Sequence, residues 1–408
     1  MTKRYAFTAL FAVVGMVILI IFYTYVNRTV SAYEKITIGT VAGDEDVIND
    51  VTLSGILYSN GTNNAISISK ENTDVYSQSM LNMNSAALNM NSAAEIRLKE
   101  LQQEYRSFMR GKDKVNHFYE DEHFLLYGEL NASEINEKVN WSAQISFYDK
   151  AKAEEWDFTV PLDFEIKEPV DIYDVQMHGQ EVIIILAADQ NDSQSIWRIS
   201  VNASQKKLTD SSLIYSLDKG LSTSEEGEHQ QNYLNMNEGL TVSAWMTKAK
   251  YIPFSLSTST REENGDETKI GHQFFVINIE SGELSEVKLA EQAIIDSDVF
   301  VDHENIYYLE KQTGAVNKYH VEDGSSEFIL QHDALMNYNY DHLLEFSNDK
   351  LYLLANGRYT GEGLKNKVID FYVLDLNNGK EMYHGKIDYN EFVNGYIDFS
   401  AIYPKRFD

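Results

Sequence analysis

The 408-residue chain contains no cysteine. Thiol nucleophiles, disulfide staples, cysteine-based zinc sites and an acylated lipoprotein anchor are therefore excluded. Its 4 prolines are too few for a Pro-rich stalk. Basic residues are scarce, 34 against 63 acidic ones, for a formal net charge of −29. Phosphate binding needs the opposite balance, so nucleic acid is excluded as a partner. Close apposition to anionic lipid headgroups is disfavoured for the same reason. Catalytic signatures are missing as well. The chain has no G-x-x-x-x-G-K-[ST], no G-x-G-x-x-G and no G-x-S-x-G, and its 10 histidines form no H-E-x-x-H.

One long hydrophobic run is present, from Ala6 to Val26, and it carries no charge. At ~1.5 Å per residue this stretch gives a helix of ~31 Å, the thickness of a bilayer core. Lys3 and Arg4 precede it. The positive-inside rule then places residues 1–5 in the cytoplasm and the rest of the chain outside. Phe22, Tyr23 and Tyr25 sit at the far end, where aromatic rings favour the interface. The expectation is a single-pass membrane anchor over 6–26, a tether over 27–35 and an extracytoplasmic domain over 36–408. A cleaved signal peptide is the rival, with Val30-Ser31-Ala32 as its cleavage site.

The remainder is rich in tyrosine (26 residues) and in β-branched, alternating segments, which favours strands. Val51–Tyr58 and Ala65–Ser69 alternate around the turn cluster 59–64. Residues 77–112 differ. The heptapeptide LNMNSAA occurs twice, at 81–87 and 88–94, followed by Leu98, Leu101, Tyr105 and Phe108 at helical spacing. This predicts one inserted amphipathic helix, stopped at Gly111.

From about residue 114 a pattern repeats. A polar turn leads into an apolar strand starting at 123, 181, 240, 306 and 351. Each is followed by a second strand, at 143–148, 196–201, 274–279, 316–321 and 371–376. Three of these second strands end in Glu280-Ser-Gly282, Glu322-Asp-Gly324 and Asn377-Asn-Gly379. The long steps are read as inserted loops, notably 189–195 and 255–270. Such a period with four strands per unit predicts a mostly β chain folded as a β-propeller. The strand-and-turn pattern over 114–390 resembles that of β-propeller repeat proteins of the bacterial cell envelope. The likeness is one of fold and implies no site residues. Strands within 36–70 and at Tyr396–Tyr403 would together form one more blade, built from both termini. Six blades are therefore favoured, with seven as the alternative.

Candidate chemistry is sparse. Asp171, Asp174, Asp296 and Asp298 are the acids nearest the expected channel, where a glycoside hydrolase would carry its carboxylate pair. The loops Asp44–Asp46, Asp189–Asp192 and 262–267 are oxygen-rich but lack EF-hand spacing, so structural calcium is the only cofactor they raise. Tyr338, Tyr340 and Tyr359 stand on expected loops as a candidate ligand face for sugar or peptide. The expected role is a non-enzymatic, membrane-anchored recognition or scaffold module of the bacterial cell envelope with a protein or glycan partner. The alternative is an envelope polysaccharide hydrolase or lyase using channel-lining carboxylates.

Overall fold

The computed structural model describes residues 14–21, 36–59, 62–77, 93–135, 138–162, 170–189, 193–218, 222–223, 229–235, 240–242, 246, 248–261, 267–288, 297–302, 305–336, 342–355, 369–387 and 395–404. Strands dominate these residues and form six sheets of four or five strands. Within each sheet the strands run antiparallel, with one exception noted below.

The first strand, β1 (Ile38–Gly43), precedes a short 3-10 turn at Glu45–Ile48. Blade 1 follows, with β2 (Val51–Ser59), β3 (Thr62–Ser69) and β4 (Thr73–Ser77). The helix α1 (Ala93–Glu104) separates it from blade 2, which holds β5 (Phe118–Glu120), β6 (Phe124–Ile135), β7 (Lys138–Asp149) and β8 (Glu154–Leu162). Blade 3 contains β9 (Val170–His178), β10 (Glu181–Asp189), β11 (Ser193–Asn202) and β12 (Lys207–Asp218). Next come β13 (Ser222–Thr223), β14 (His229–Asn235), β15 (Leu240–Val242), β16 (Tyr251–Arg261), β17 (Glu267–Asn278) and β18 (Leu284–Val287). All of these except β15 make blade 4. Blade 5 takes β15 with β19 (Ser297–Asp302), β20 (Asn305–Glu310), β21 (Ala315–Tyr319) and β22 (Ser326–Gln331). Blade 6 has β23 (Leu343–Ser347), β24 (Lys350–Ala355), β25 (Ile369–Asp375) and β26 (Glu381–Ile387), with β1 added beside β26. The last strand, β27 (Gly395–Pro404), returns to pair with β2 from Val51–Pro404 to Ser59–Gly395.

The arrangement is consistent with a six-bladed β-propeller. Alternation along the strands explains how the blades stack. In β7, Trp141, Ala143, Ile145 and Phe147 turn to blade 3, while the intervening residues are only half-buried. Strand β10 is buried on both faces and reads as an apolar run: Ile184 and Leu186 face blade 2, and Ile183 and Ile185 face blade 4. Apolar clusters join blades 2 and 3, 3 and 4, 4 and 5, 5 and 6, and 6 and 1. The sixth seam is filled by α1. Leu98, Leu101, Phe108 and Met109 pack on Phe118, Leu125 and Tyr127 of blade 2, and α1 also contacts β27 of blade 1. Burying each large apolar side chain contributes roughly 1.5–3 kcal/mol.

The blade built from both termini is present as β27 beside β2, β3 and β4. The inserted helix is present but ends at Glu104, earlier than the predicted stop: Leu98 and Leu101 lie on it, Tyr105 and Phe108 follow in turns packed on the same cluster, and Gly111 adopts φ 78° beyond them. The three repeated turns share one geometry. Gly282, Gly324 and Gly379 have φ of 72°, 68° and 70°, and each N–H reaches the carbonyl four residues back.

Three expectations need correction. Leu240–Trp245 does not supply the second strand of blade 4. Its described residues, 240–242, are a strand of blade 5, and in blade 4 it is β16 that pairs with β14. The stretch 255–270 is not an inserted loop, because β16 and β17 run through most of it. Its Ser-Leu-Ser-Thr-Ser-Thr composition reads as loop, yet Ser255, Ser257 and Ser259 are buried. Ile36–Gly39 belongs not with blade 1 but with β1, on the edge of blade 6.

The expected anchor over 6–26 overlaps the described residues only at 14–21, which are helical and expose Met16 and Ile18–Ile21. Among the described residues no helix is long and apolar enough to cross a membrane.

Candidate functional site

In the order of pairing, β27, β5, β9, β13 with β14, β15 with β19, and β23 stand at the starting end of their blades, which puts them toward the ring's centre. The chain leaving β14 does not turn directly into β16. It first lies parallel to β19, pairing Leu240–Val242 with Val299–Val301. Met246 then bridges to Tyr119 of β5, and the Glu120 N–H donates to the Met246 carbonyl at 2.6 Å. Ala249 N–H donates to Gln176 Oε1 on β9 at 3.1 Å. In a ring of six, blades 5 and 2 are opposite one another. Four residue steps separate Val242 from Met246, a span of at most ~14 Å. Within a few residues, then, the chain before blade 4 pairs with strands of opposite blades, and this stretch is called the crossing segment. Met246 is buried beneath α1 in the cluster with Leu98 and Phe108.

Where the crossing meets β5, a buried charge network holds α1 in its seam. The Glu120 carboxylate is fully buried and accepts from Arg97 Nε at 2.8 Å, Arg97 Nη2 at 2.7 Å and Lys150 Nζ at 2.7 Å. Burial opposes the charge on Arg97, yet the hydrogen bonds and charge of Glu120 prevail and hold its guanidinium protonated. On the other side of the helix, Tyr403 of β27 donates to Glu100 at 3.0 Å. Burial, together with Glu100, drives the Tyr403 phenol upward and keeps it neutral. The helix therefore bridges blades 1 and 2 through Glu100 and Arg97.

A second buried acid lies on β9. Asp174 is buried, its Oδ2 accepts from Gln176 Nε2 at 2.8 Å, and its Oδ1 has no hydrogen-bond partner. Burial pushes its carboxyl up to about 8, against the hydrogen bonds from Gln176 and the Val175 N–H. On the same seam side, burial and the nearby Asp174 raise the Tyr173 phenol. His117, just before β5, donates its Nδ1–H to the Gly128 carbonyl at 2.8 Å. Burial, aided by Lys114, lowers it to about 4.

The four candidate acids do not converge. Asp171 is exposed, Asp174 is buried between blades 3 and 4, and Asp296 lies outside the described residues. Asp298 is in β19, but its side chain is also outside them. Tyr338, Tyr340 and Tyr359 lie outside the described residues too. Of the oxygen-rich loops, Asp44–Asp46 is a capping turn: the Asp46 N–H donates to Asp44, and Lys70 lies 3.8 Å from Asp46. No group of three metal-ligating side chains occurs among the described residues. Several histidines pair with carboxylates, His384 with Asp370 at 2.8 Å and His332 with Glu381 at 3.3 Å. Sequence reasoning missed Arg97, Glu120 and Lys150. Glu120 sits in what reads as a polar turn, and only the pairing with Arg97 from a separate insertion gives it meaning.

No protein-family model matches the chain, and no curated protein matches it. Among solved structures, AztD of Citrobacter koseri matches with a TM-score of 0.29 and 10% identity over 88% of this chain and 99% of that one. A polysaccharide lyase titled an ulvan lyase gives 0.33 and 8% over 86% and 85%. A nidogen/laminin complex gives 0.26 and 8% over 88% and 100%. Likenesses this weak carry no argument about activity. The fold assignment rests on the strand pairing and the seams described above.

Proposed function

We propose that this chain is a membrane-anchored, extracytoplasmic recognition or scaffold module of the bacterial cell envelope, working without catalysis. The observation that supports the reading is the set of six sheets, consistent with a propeller, in which Leu240–Val242 and Met246 pair with strands of opposite blades. Such an arrangement favours rims and faces over a central reaction chamber as the place for a partner. The uncharged run 6–26 with Lys3 and Arg4 before it supports the anchor, and the net charge of −29 suits an exported domain. The proposed ligand face is Tyr338, Tyr340 and Tyr359, taking an envelope protein or glycan. Segments 337–341 and 356–368, which carry these tyrosines, flank β23 and β24 of a single blade.

The alternative of a polysaccharide hydrolase or lyase draws less support. Its best-placed acid, Asp174, is buried between two blades, and the candidate acids do not converge.

Two measurements test the reading. The full-length chain with a C-terminal tag is expected in the membrane fraction, resistant to high salt, released by detergent, and cut by protease added to intact spheroplasts. Recovery in the soluble fraction, or protection from external protease, contradicts the anchor. Photo-crosslinkers at positions 338, 340 and 359 should capture one discrete envelope component. The same yield from an unrelated exposed turn, such as that at Asp323, contradicts the ligand face.

A further inference from the structure

A chain of hydrogen bonds links the buried acid on β9 to the crossing segment. Asp174 accepts from the Gln176 amide, and the Gln176 carbonyl oxygen accepts from the Ala249 N–H. Asp174 and Gln176 point into the seam between blades 3 and 4: their cross-strand partners, Ile185 and Ile183, belong to that apolar cluster with Ala249. One Asp174 oxygen has no partner at all. A buried carboxylate in such surroundings is strongly disfavoured against the neutral acid. The fold therefore selects the protonated group.

We infer that Asp174, Gln176 and Ala249 form a proton-controlled latch: with the carboxyl protonated the chain at Ala249 is held on blade 3, and its release is coupled to loss of one proton. On release the Asp174 O–H breaks heterolytically, the proton passes to water and the carboxylate is hydrated. Water then competes with Gln176 for the carboxylate, and with Gln176 Oε1 for the Ala249 N–H. The groups around the acid fit this role. Burial is the first cause of its raised carboxyl, and no charged side chain contributes. Tyr173 shares the seam and is itself held neutral, and blade 4 faces the acid with the apolar Ile252 and Phe254. Asp171 on the same strand is exposed, and Lys250 pairs with Glu322 at 3.6 Å.

The sign follows from linkage. The closed state keeps its proton up to about pH 8, whereas the opened state, with an ordinary carboxyl, loses it above about 4. Between these limits opening becomes about tenfold easier for each pH unit, then levels off. The latch is tight in acid and loose at mild alkalinity.

The test is amide hydrogen exchange at Ala249, expressed as protection so that the intrinsic pH dependence cancels. Protection in the wild-type chain is expected to fall about 100-fold from pH 5 to pH 7. In Asp174→Asn, which keeps the shape and cannot ionise, it should stay flat and exceed the wild-type value at pH 7. A flat wild-type profile, or the same fall in both proteins, overturns the latch. The wild-type chain alone gives a second reading. Its infrared spectrum at pH 7 should retain one protonated carboxylic-acid band that disappears above about pH 8, and absence of that band at pH 7 overturns the inference.

Discussion

Replacing Glu120 by Gln is the sharpest probe of how the ring is closed between blades 1 and 2. The carboxylate is completely buried, and its partners Arg97 and Lys150 retain only 17% and 16% side-chain exposure. The substitution keeps the shape but leaves two cations facing a neutral amide in a poorly hydrated seam. Removing one member of a buried ion network costs about 3–5 kcal/mol, chiefly because the remaining charge is stranded. Unfolding entropy of ~2.1 cal/mol/K per residue, over a folded domain of roughly 370 residues, turns that loss into a melting shift of about 4–6 °C. Urea unfolding of the domain measures the free energy directly. Replacing all three residues together, Glu120→Leu with Arg97→Met and Lys150→Met, should cost less than Glu120→Gln alone, since no unpaired charge remains. A cost below about 1 kcal/mol for Glu120→Gln would refute the reasoning. So would a triple variant weaker than the single one.

Two further outcomes are expected. His117 is lowered to about 4 in the fold from an unfolded value near 6.5, so the unfolded chain takes up the proton first as pH falls. Stability from this group is complete above about pH 6.5 and is lost as pH drops toward 4, by about 3 kcal/mol at most. His117→Gln should flatten that part of the stability profile, and an unchanged acid slope contradicts the assignment. The repeated turns supply a graded series. A Cβ at Gly379 would stand 2.6 Å from the Ile329 carbonyl, whereas at Gly324 its nearest neighbour is Tyr319 Oη at 3.6 Å. Both substitutions to Ala carry the positive-φ penalty of roughly 1 kcal/mol, but Gly379→Ala should cost clearly more by denaturant unfolding. Equal losses would show that the contact with blade 5 is relaxed at no cost.

Much of the ring was legible because strand alternation and positive-φ glycines are local. Ala143–Tyr148 alternates as half-buried strands do, Ile196–Val201 and Phe371–Leu376 are β-rich, and Gly282, Gly324 and Gly379 mark one recurring turn. The pairing of β27 with β2 could be anticipated by counting strands left over at the two ends. Blade 4 was obscured because its second strand buries serines, and burial of a small hydroxyl leaves no hydrophobic period to read. Leu240–Val242 has strand composition but joins blade 5 in parallel, a tertiary choice that local pattern does not encode. The Glu120 network was hidden for a related reason. Its members come from a helix, the end of a strand and a turn, separated by 23 and 30 positions, so no spacing rule unites them. Asp174 was visible as an acid on an inner strand. Its burial between blades was not, because that depends on the bulge opposite Ile185 and Leu186 that turns it toward blade 4.

Ring closure through the two ends of the chain is the central structural claim, and the absence of native cysteine allows a clean measurement of it. Tyr58 on β2 and Tyr396 on β27 are register partners with ring centroids 4.6 Å apart. Directly opposed antiparallel positions bring their Cβ atoms close to the separation that a disulfide spans. The double variant Tyr58→Cys with Tyr396→Cys should oxidise within a single chain, running faster on a non-reducing gel and yielding one cross-linked peptide pair joining the two sites. Two free thiols after mild oxidation, or disulfides formed only between chains, would contradict the closed ring.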